Sequence, residues 1–306
     1  MKNTLIAFVL TVCTSLCFSQ PRVTLVVGGP PGGPSDAFGR ATADYLKRVN
    51  DNNIVVSNKA GASGLIALRS TLEDPGFNIL VASTGPFVFN RVMIDKLDIE
   101  PLQEFDVFGP VVRTPMALVT QSSGKIKTIA DWKKQDHVVC GVTNQSGALW
   151  ARLLFKKIGV PSTIVMYKGS PQLIQDILSK TLDCGLDSYP TYTSLHTSEH
   201  IKILAVADTQ RPKDHANIPT IKELGVDFEA YSWFGIGIPN KHRGTDEYNK
   251  IARALTQIHL DSEFTNKMNH QGYRASRIGE NYNRTLQQDY EYWNSVRQQF
   301  NLERTP

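Results

Sequence analysis

Long apolar stretches are missing from most of this chain. Beyond residue 19 no run approaches the ~18 apolar residues that cross a bilayer, so no spanning helix is expected in the body of the protein. Charge of one sign is also missing. The formal net charge is only +4, and the basic residues are scattered rather than striped along a face, which argues against a nucleic-acid partner. There is no low-complexity segment and no repeat of fixed period. Signatures of chemistry are equally sparse. No Lys-Ser/Thr pair follows the glycines as in a Walker loop, no Gly-x-Gly-x-x-Gly marks a dinucleotide, and no Gly-x-Ser-x-Gly elbow presents Ser63 or Ser146 as a nucleophile. His196 and His200 stand four apart, as helical metal ligands do, but no Cys, His or carboxylate pattern completes a site. Neither a cofactor nor a metal is expected.

What is there begins with Lys2, an apolar core over residues 5–16 and then Cys17-Phe18-Ser19, with small residues at the two positions a signal peptidase reads, the pattern of a secretory signal cleaved near Ser19. Its removal takes away Cys13 and Cys17 and leaves Cys140 and Cys184, both in apolar strand-like segments. Two buried free thiols are expected there, with a disulfide as the alternative. The remaining length exceeds what one core usually holds, so two domains are expected.

The chain is organised around Pro30-Pro31-Gly32-Gly33-Pro34-Ser35-Asp36. It follows the β-branched run 23–27 and precedes Phe38, Ala41, Tyr45, Leu46 and Val49 at helical spacing, which makes it a strand-loop-helix junction. The paired glycines let the backbone turn with positive φ, and Pro34 suits the first helical position because its missing N–H would be unpaired there. The N–H groups of Ser35 and Asp36 then have no intrahelical acceptor, and with the dipole they face any anion resting on the loop. A Pro-Gly turn before an ordinary capped helix is the plainer reading. Asp36 is either a functional acid or a helix-end group favoured by the dipole.

Further strands are expected at 54–57, 78–82, 106–113, 117–120, 138–142, 163–166, 182–186, 203–207 and 231–239, with helices between most of them. The stretch Gln121-Ser122-Ser123-Gly124-Lys125 breaks the first series and reads as a hinge, and residues 231–239 read as the return crossing. The organisation expected is a signal over 1–19, domain 1 over 20–120 and 233–306, and domain 2 over 121–232. Two alternating series argue α/β domains with mixed, mostly parallel sheets and helices on both faces. Ligands in such sheets lie outside the carboxyl ends of the strands. The loops expected there are built from Gly, Ser, Thr, Asn and Pro with no arginine, a composition suited to holding a solute rather than transforming it. Asp187 is the one acid in that set. The aromatic stripe of the last helix, Tyr282, Tyr290 and Trp293, reads as core packing.

Residues 27–36, with Asn58-Lys59-Ala60-Gly61-Ala62-Ser63-Gly64, Ser83-Thr84-Gly85, Tyr167-Lys168-Gly169-Ser170-Pro171 and Ile218-Pro219-Thr220, resemble the Bug family, the TctC-like extracytoplasmic solute receptors of tripartite tricarboxylate transport systems. The resemblance spans nearly the whole mature chain. It implies a two-domain periplasmic binding protein (Venus flytrap) fold with the ligand cleft between domains, a periplasmic location, a small carboxylated solute and membrane transporter subunits as partners. The two chain crossings, near Gln121 to Lys125 and Tyr231 to Ile238, lead us to expect a monomer that closes by hinge motion, and the lack of a nucleophile, base or metal set leads us to expect a protein that is not an enzyme. First-domain ligand contacts would fall on Gly32, Gly33, Ser35, Asp36, Ser83, Thr84 and Gly85, and second-domain contacts on Ser146, Gly147, Ala148, Tyr167, Gly169, Ser170 and Asp187. One departure is Gly29, where relatives usually carry an aromatic residue; extra room beside the ligand is expected there. Presentation of the solute to a sensor kinase, and an enzyme acting on an organic acid, are the alternatives.

Overall fold

The computed structural model describes residues 22–50, 53–275 and 282–304; the expected secretory signal lies outside them. Among the described residues the strands are β1 (Arg22–Val27), β2 (Asn53–Asn58), β3 (Phe77–Ser83), β4 (Phe105–Gln121), β5 (Val138–Val142), β6 (Ser162–Met166), β7 (Cys184–Ser188), β8 (Ile201–Val206), β9 (Tyr231–Pro239) and β10 (Arg274–Ala275). β1 lies between β2 and β3, parallel to both, and β9 runs antiparallel to β3. A second parallel set places β5 between β6 and β7. Parallel order of this kind requires helical crossovers, and the helices Pro34–Asn50, Leu65–Glu73, Gln145–Ile158 and Ser170–Leu178 supply them.

β4 joins the two sets, of which β1, β2, β3 and β9 with their helices make the first lobe and β5, β6 and β7 with theirs the second. Phe105 to Pro115 pairs antiparallel with β9, while Met116 onward pairs with β7 on one side and Ala117 onward with β8 on the other. The break expected between 113 and 117 is therefore absent: β4 is one strand of 17 residues. Pro110, which lacks a donor, sits where the β4–β9 register shifts between Phe108 and Val112, so the ladder absorbs the proline instead of ending at it. The turn at Gln121, closed by Gly124 N–H donating to Gln121 O at 2.9 Å, comes after the change of partners rather than at it. Strand β7 also runs two residues further than expected, because Asp187 and Ser188 pair with Ala117 and Met116. Asp187 is thus held on a strand, not on a loop.

Burial follows the periodicity. The helix Pro34–Asn50 buries Phe38, Ala41, Tyr45 and Leu46 against β1, β3 and β9. Gly39 lies on the same face, where a Cβ would stand 2.9 Å from Val27 Cγ2, so the helix settles unusually close to the sheet. The C-terminal helix Asn283–Gln299 packs Trp293 against Phe89 of the first lobe and Trp150 of the second, at centroid distances of 5.2 and 6.2 Å. Its stripe is core, as its spacing suggests. The tail beyond it is tied to both lobes: Lys156 Nζ donates to Phe300 O at 2.6 Å, and Arg304 Nε donates to Val92 O at 3.2 Å. Cys140 and Cys184 are register partners on β5 and β7, fully buried and free.

Candidate functional site

A cavity of about 530 Å³ opens at the carboxyl ends of β1, β3, β5, β6 and β7. Helix starts converge on it. The first lobe contributes Gly33, Pro34 and Ser35 at the head of Pro34–Asn50, and Gly64 and Leu65 at the head of Leu65–Glu73. Thr84, Gly85 and Pro86 head a wider π-type turn that runs on into Asn90–Met93. The second lobe contributes Asn144 and Gln145 heading Gln145–Ile158, and Gly169 and Ser170 heading Ser170–Leu178. The first N–H groups of each helix lack intrahelical acceptors, and each dipole places partial positive charge at the same end. Positive potential is thereby focused on a wall whose charged side chains, among the described residues, are Lys168 and Asp187.

The organising loop is held by Asp36, which does not line the cavity. Its Oδ2 accepts from Gly32 N–H and from Arg40 Nε, both at 2.9 Å, and its Oδ1 accepts from Asn58 Nδ2 at 2.9 Å. Burial opposes ionisation of this carboxyl, but Arg40, the Gly32 N–H and Asn58 outweigh it and hold the group below the usual carboxylate range. Gly32, at φ 77, makes the left-handed turn, whereas Gly33 needs no positive φ. Asn58 Nδ2 also donates to Gly29 O at 3.0 Å, closing a small network behind the loop. The room expected at Gly29 is filled by Ser35, whose hydroxyl lies where a Cβ on Gly29 would point.

A second loop, Gly61 to Gly64, carries Ala62 and Ser63 in the left-handed region at φ 45 and 50. Asn90, fully buried, braces it by donating from Nδ2 to Ser63 O at 3.1 Å. Strain of this sort persists only where the surroundings over-determine it and is concentrated at ligand sites. Ser63 Oγ reaches Met166 Sδ at 3.8 Å on the opposite lip of the cleft.

Of the residues expected to contact ligand, Gly33, Ser35, Ser83, Thr84, Gly85, Tyr167, Gly169, Ser170 and Asp187 line the cavity. Gly32, Asp36, Ser146, Gly147 and Ala148 do not. Gly32 faces a smaller groove beside Tyr273. The Gly147 N–H donates to the Asn144 side chain at 2.9 Å and the Ala148 N–H to Asn144 O at 3.0 Å, so the helix cap occupies both. Ser146 is buried behind Gly85. Tyr167 offers its ring and not its hydroxyl. Burial first, and then the hydrogen bond to Asp176 Oδ2 at 2.6 Å, push its pKa up to about 12. Wall residues beyond the expected contacts include Ala62 and Ser63, Thr143 to Gln145, Met166, Lys168, Ser188, and Ser232 and Phe234 of β9. Thr143 to Gln145 follows β5 and was readable as a carboxyl-end loop; Ser232 and Phe234 reach the site from an antiparallel strand and gave no such signal.

Asp187 closes the second-lobe side. It is 3% exposed, and its carboxyl is raised above the usual range by burial, which hydrogen bonds from Ser170, Ser188 and Thr143 only partly offset.

The family model described as the tripartite tricarboxylate transporter family receptor matches residues 38–302. Among curated relatives, the UPF0065 protein in the TAR-I ttuE-ttuC' intergenic region of Agrobacterium vitis is 28% identical over 248 residues, covering 78% of this chain and 71% of the relative. Protein BugT of Bordetella pertussis is 26% identical over 235 residues, covering 73% and 71%. Among solved structures, R. palustris Rpa4515 with adipate superposes with a TM-score of 0.85 at 24% identity, over 94% of this chain and 100% of that one. The periplasmic binding protein BugD gives 0.83 at 22%, over 94% and 100%. MatC from Rhodopseudomonas palustris with bound malate gives 0.81 at 20%, over 91% and 99%. At these identities the solved structures establish the periplasmic binding protein fold, and the match over residues 38–302 establishes the kinship: this chain belongs to the tripartite tricarboxylate transporter receptor family, a family of solute-binding receptors.

Proposed function

We propose that the protein captures a small mono- or dicarboxylate in the cavity between its lobes and delivers it to the membrane subunits of a tripartite tricarboxylate-type transporter. One observation carries the reading: helix N-termini from both lobes meet at a cavity with no arginine on its wall among the described residues. An anion is stabilised there by ~1 kcal/mol for each well-placed dipole and by roughly 1.5–3 kcal/mol for each charge-assisted hydrogen bond. A few such contacts suffice for micromolar affinity after the cost of immobilising the ligand. Relatives of the same fold were solved with adipate and with malate, which supports a carboxylate here as well.

The binding reading is preferred to a catalytic one because Tyr167, Lys168 and Asp187 are the titratable side chains on the wall among the described residues, and Tyr167 is turned away. The chain is read as two domains, 20–120 with 233–306 and 121–232, moving as a monomeric hinge. The change of partners within β4 supports a first crossing near Pro115 rather than in the turn after Gln121. Delivery to the periplasm through the signal over 1–19 fits the family and the lack, among described residues, of any helix long and apolar enough to cross a membrane.

A thermal-shift screen of organic acids, aromatic acids, amino acids and neutral sugars, with calorimetric titration of the hits, tests the proposal. Carboxylates should raise the melting temperature. Stabilisation by neutral sugars alone would refute the anion reading.

A further inference from the structure

Asp187 is the single acid on the cavity wall among the described residues, and the loop-held carboxylate of the preceding proposal does not use it. Its Oδ1 accepts from Ser188 N–H at 2.7 Å and from Thr143 Oγ1 at 3.3 Å. Its Oδ2 accepts from Ser170 Oγ at 2.6 Å. An ionised carboxylate offers about four lone-pair positions. Two on Oδ1 and one on Oδ2 are filled, and every donor filling them is neutral. No lysine, arginine or histidine among the described residues pairs with it. A buried carboxylate without a cation is costly unless its acceptor capacity is met, so the open position on Oδ2 calls for one more donor.

The cavity that Asp187 lines is where a ligand can bring that donor. Asp187 is 3% exposed, which leaves it no bulk water, and it lies on the second-lobe wall with Ser170 and Thr143, while Ser35, Thr84 and Gly85 lie on the first-lobe wall of the same cavity. A molecule with an anionic end on the first-lobe helix starts presents its other end to β7.

We propose that the ligand carries, besides its carboxylate, a hydrogen-bond donor, either an ammonium or a hydroxyl group, that sits on Asp187 Oδ2, so that the receptor selects amino- and hydroxycarboxylates over the unsubstituted acids. This inference rests on the carboxylate reading of the cavity. It makes Asp187 a specificity-determining residue and explains why an acid is tolerated on a wall otherwise arranged for anions. It also gives closure a cause, since such a ligand is satisfied only when both lobes touch it.

The test is calorimetric titration of the mature protein with matched sets: succinate, malate and aspartate; glutarate, 2-hydroxyglutarate and glutamate; 3-phenylpropionate, phenyllactate and phenylalanine. In whichever set binds, the donor-bearing member should bind at least tenfold more tightly than the unsubstituted acid. Asp187→Asn should reduce that preference to threefold or less. An ammonium partner is distinguished from a hydroxyl by which of the two analogues leads. The wild-type comparison stands even if the variant folds poorly. Equal binding within a set, or a preference that survives Asp187→Asn, overturns the inference while leaving carboxylate binding intact; absence of binding in all three sets overturns the carboxylate reading itself.

Discussion

Gly169 of the second lobe faces Pro30 of the first so closely that a Cβ added to the glycine would stand 2.6 Å from Pro30 Cγ and 3.0 Å from Cδ. At φ 173 the glycine is in extended backbone that any residue adopts, so it is glycine for want of space and not for its turn. Both residues line the cavity, and on the proposed hinge motion their approach measures how far the cleft is shut.

Gly169→Ala should therefore hold the lobes apart. Overpacking of this kind costs roughly 1–3 kcal/mol, and because the open state escapes it, the cost falls on ligand affinity: a loss of about tenfold or more is expected. The melting temperature of the ligand-free protein should hardly move. Titration beside a thermal melt checks this, and an unchanged affinity would mean that the ligand-bound cleft does not bring the two residues together.

The glycine pair of the organising loop separates strain from space. Gly32 has positive φ, and a Cβ added to it would meet nothing within 4 Å, so Gly32→Ala should cost ~1 kcal/mol of stability through backbone strain alone. Gly33 is not strained, but its Cβ would lie 3.2 Å from Pro30 O, so Gly33→Val should weaken binding more than it weakens the fold. Denaturant midpoints and ligand titrations of the two variants should rank in opposite orders. The same rank in both assays would contradict this division.

Asp36 and Asp187 give stability opposite pH dependences. For Asp36 the folded state holds the proton less tightly than the unfolded chain, so its stabilisation is present above the unfolded value of 3.8 and fades as pH falls through and below it. For Asp187 the folded pKa is raised, so the ligand-free protein is favoured by this group below 3.8 and loses that advantage as pH rises through the raised value. Melting curves from pH 3 to 8 should show Asp187→Asn more stable than wild type at neutral pH and Asp36→Asn less stable there, with both differences shrinking in acid. A destabilised Asp187→Asn at pH 7 would contradict the account of its burial.

Cys140 and Cys184 are adjacent on neighbouring strands, and burial, followed by the nearby Cys140, pushes the Cys184 thiol well up. A group that is both protonated and inaccessible is unreactive. A thiol reagent should leave both untouched in the folded mature protein and titrate both after unfolding without reductant. Finding neither after unfolding would show a disulfide.

Several features were settled by the sequence alone, because they depend on neighbours a few residues apart. The β-branched run before Pro30, the helical spacing from Phe38 to Leu46 and a proline in the first turn of the helices at Pro34, Gly85 and Ser170 all gave the right element and much of the cavity wall. Local chemistry is enough where a loop and the helix it feeds lie in one stretch of chain. What only the tertiary structure decided lies across the chain. Asp36 braces its own loop because Arg40 and Asn58 converge on it; Gly147 and Ala148 are occupied by the Asn144 cap; β4 passes between the lobes as one strand because β7, β8 and β9 flank it in turn. Asp187 is strand rather than loop since Ala117 pairs with it, and that pairing buries its carboxylate against Ser170 and Thr143. Pairing partners from distant parts of the chain set these environments, and no local pattern carries them.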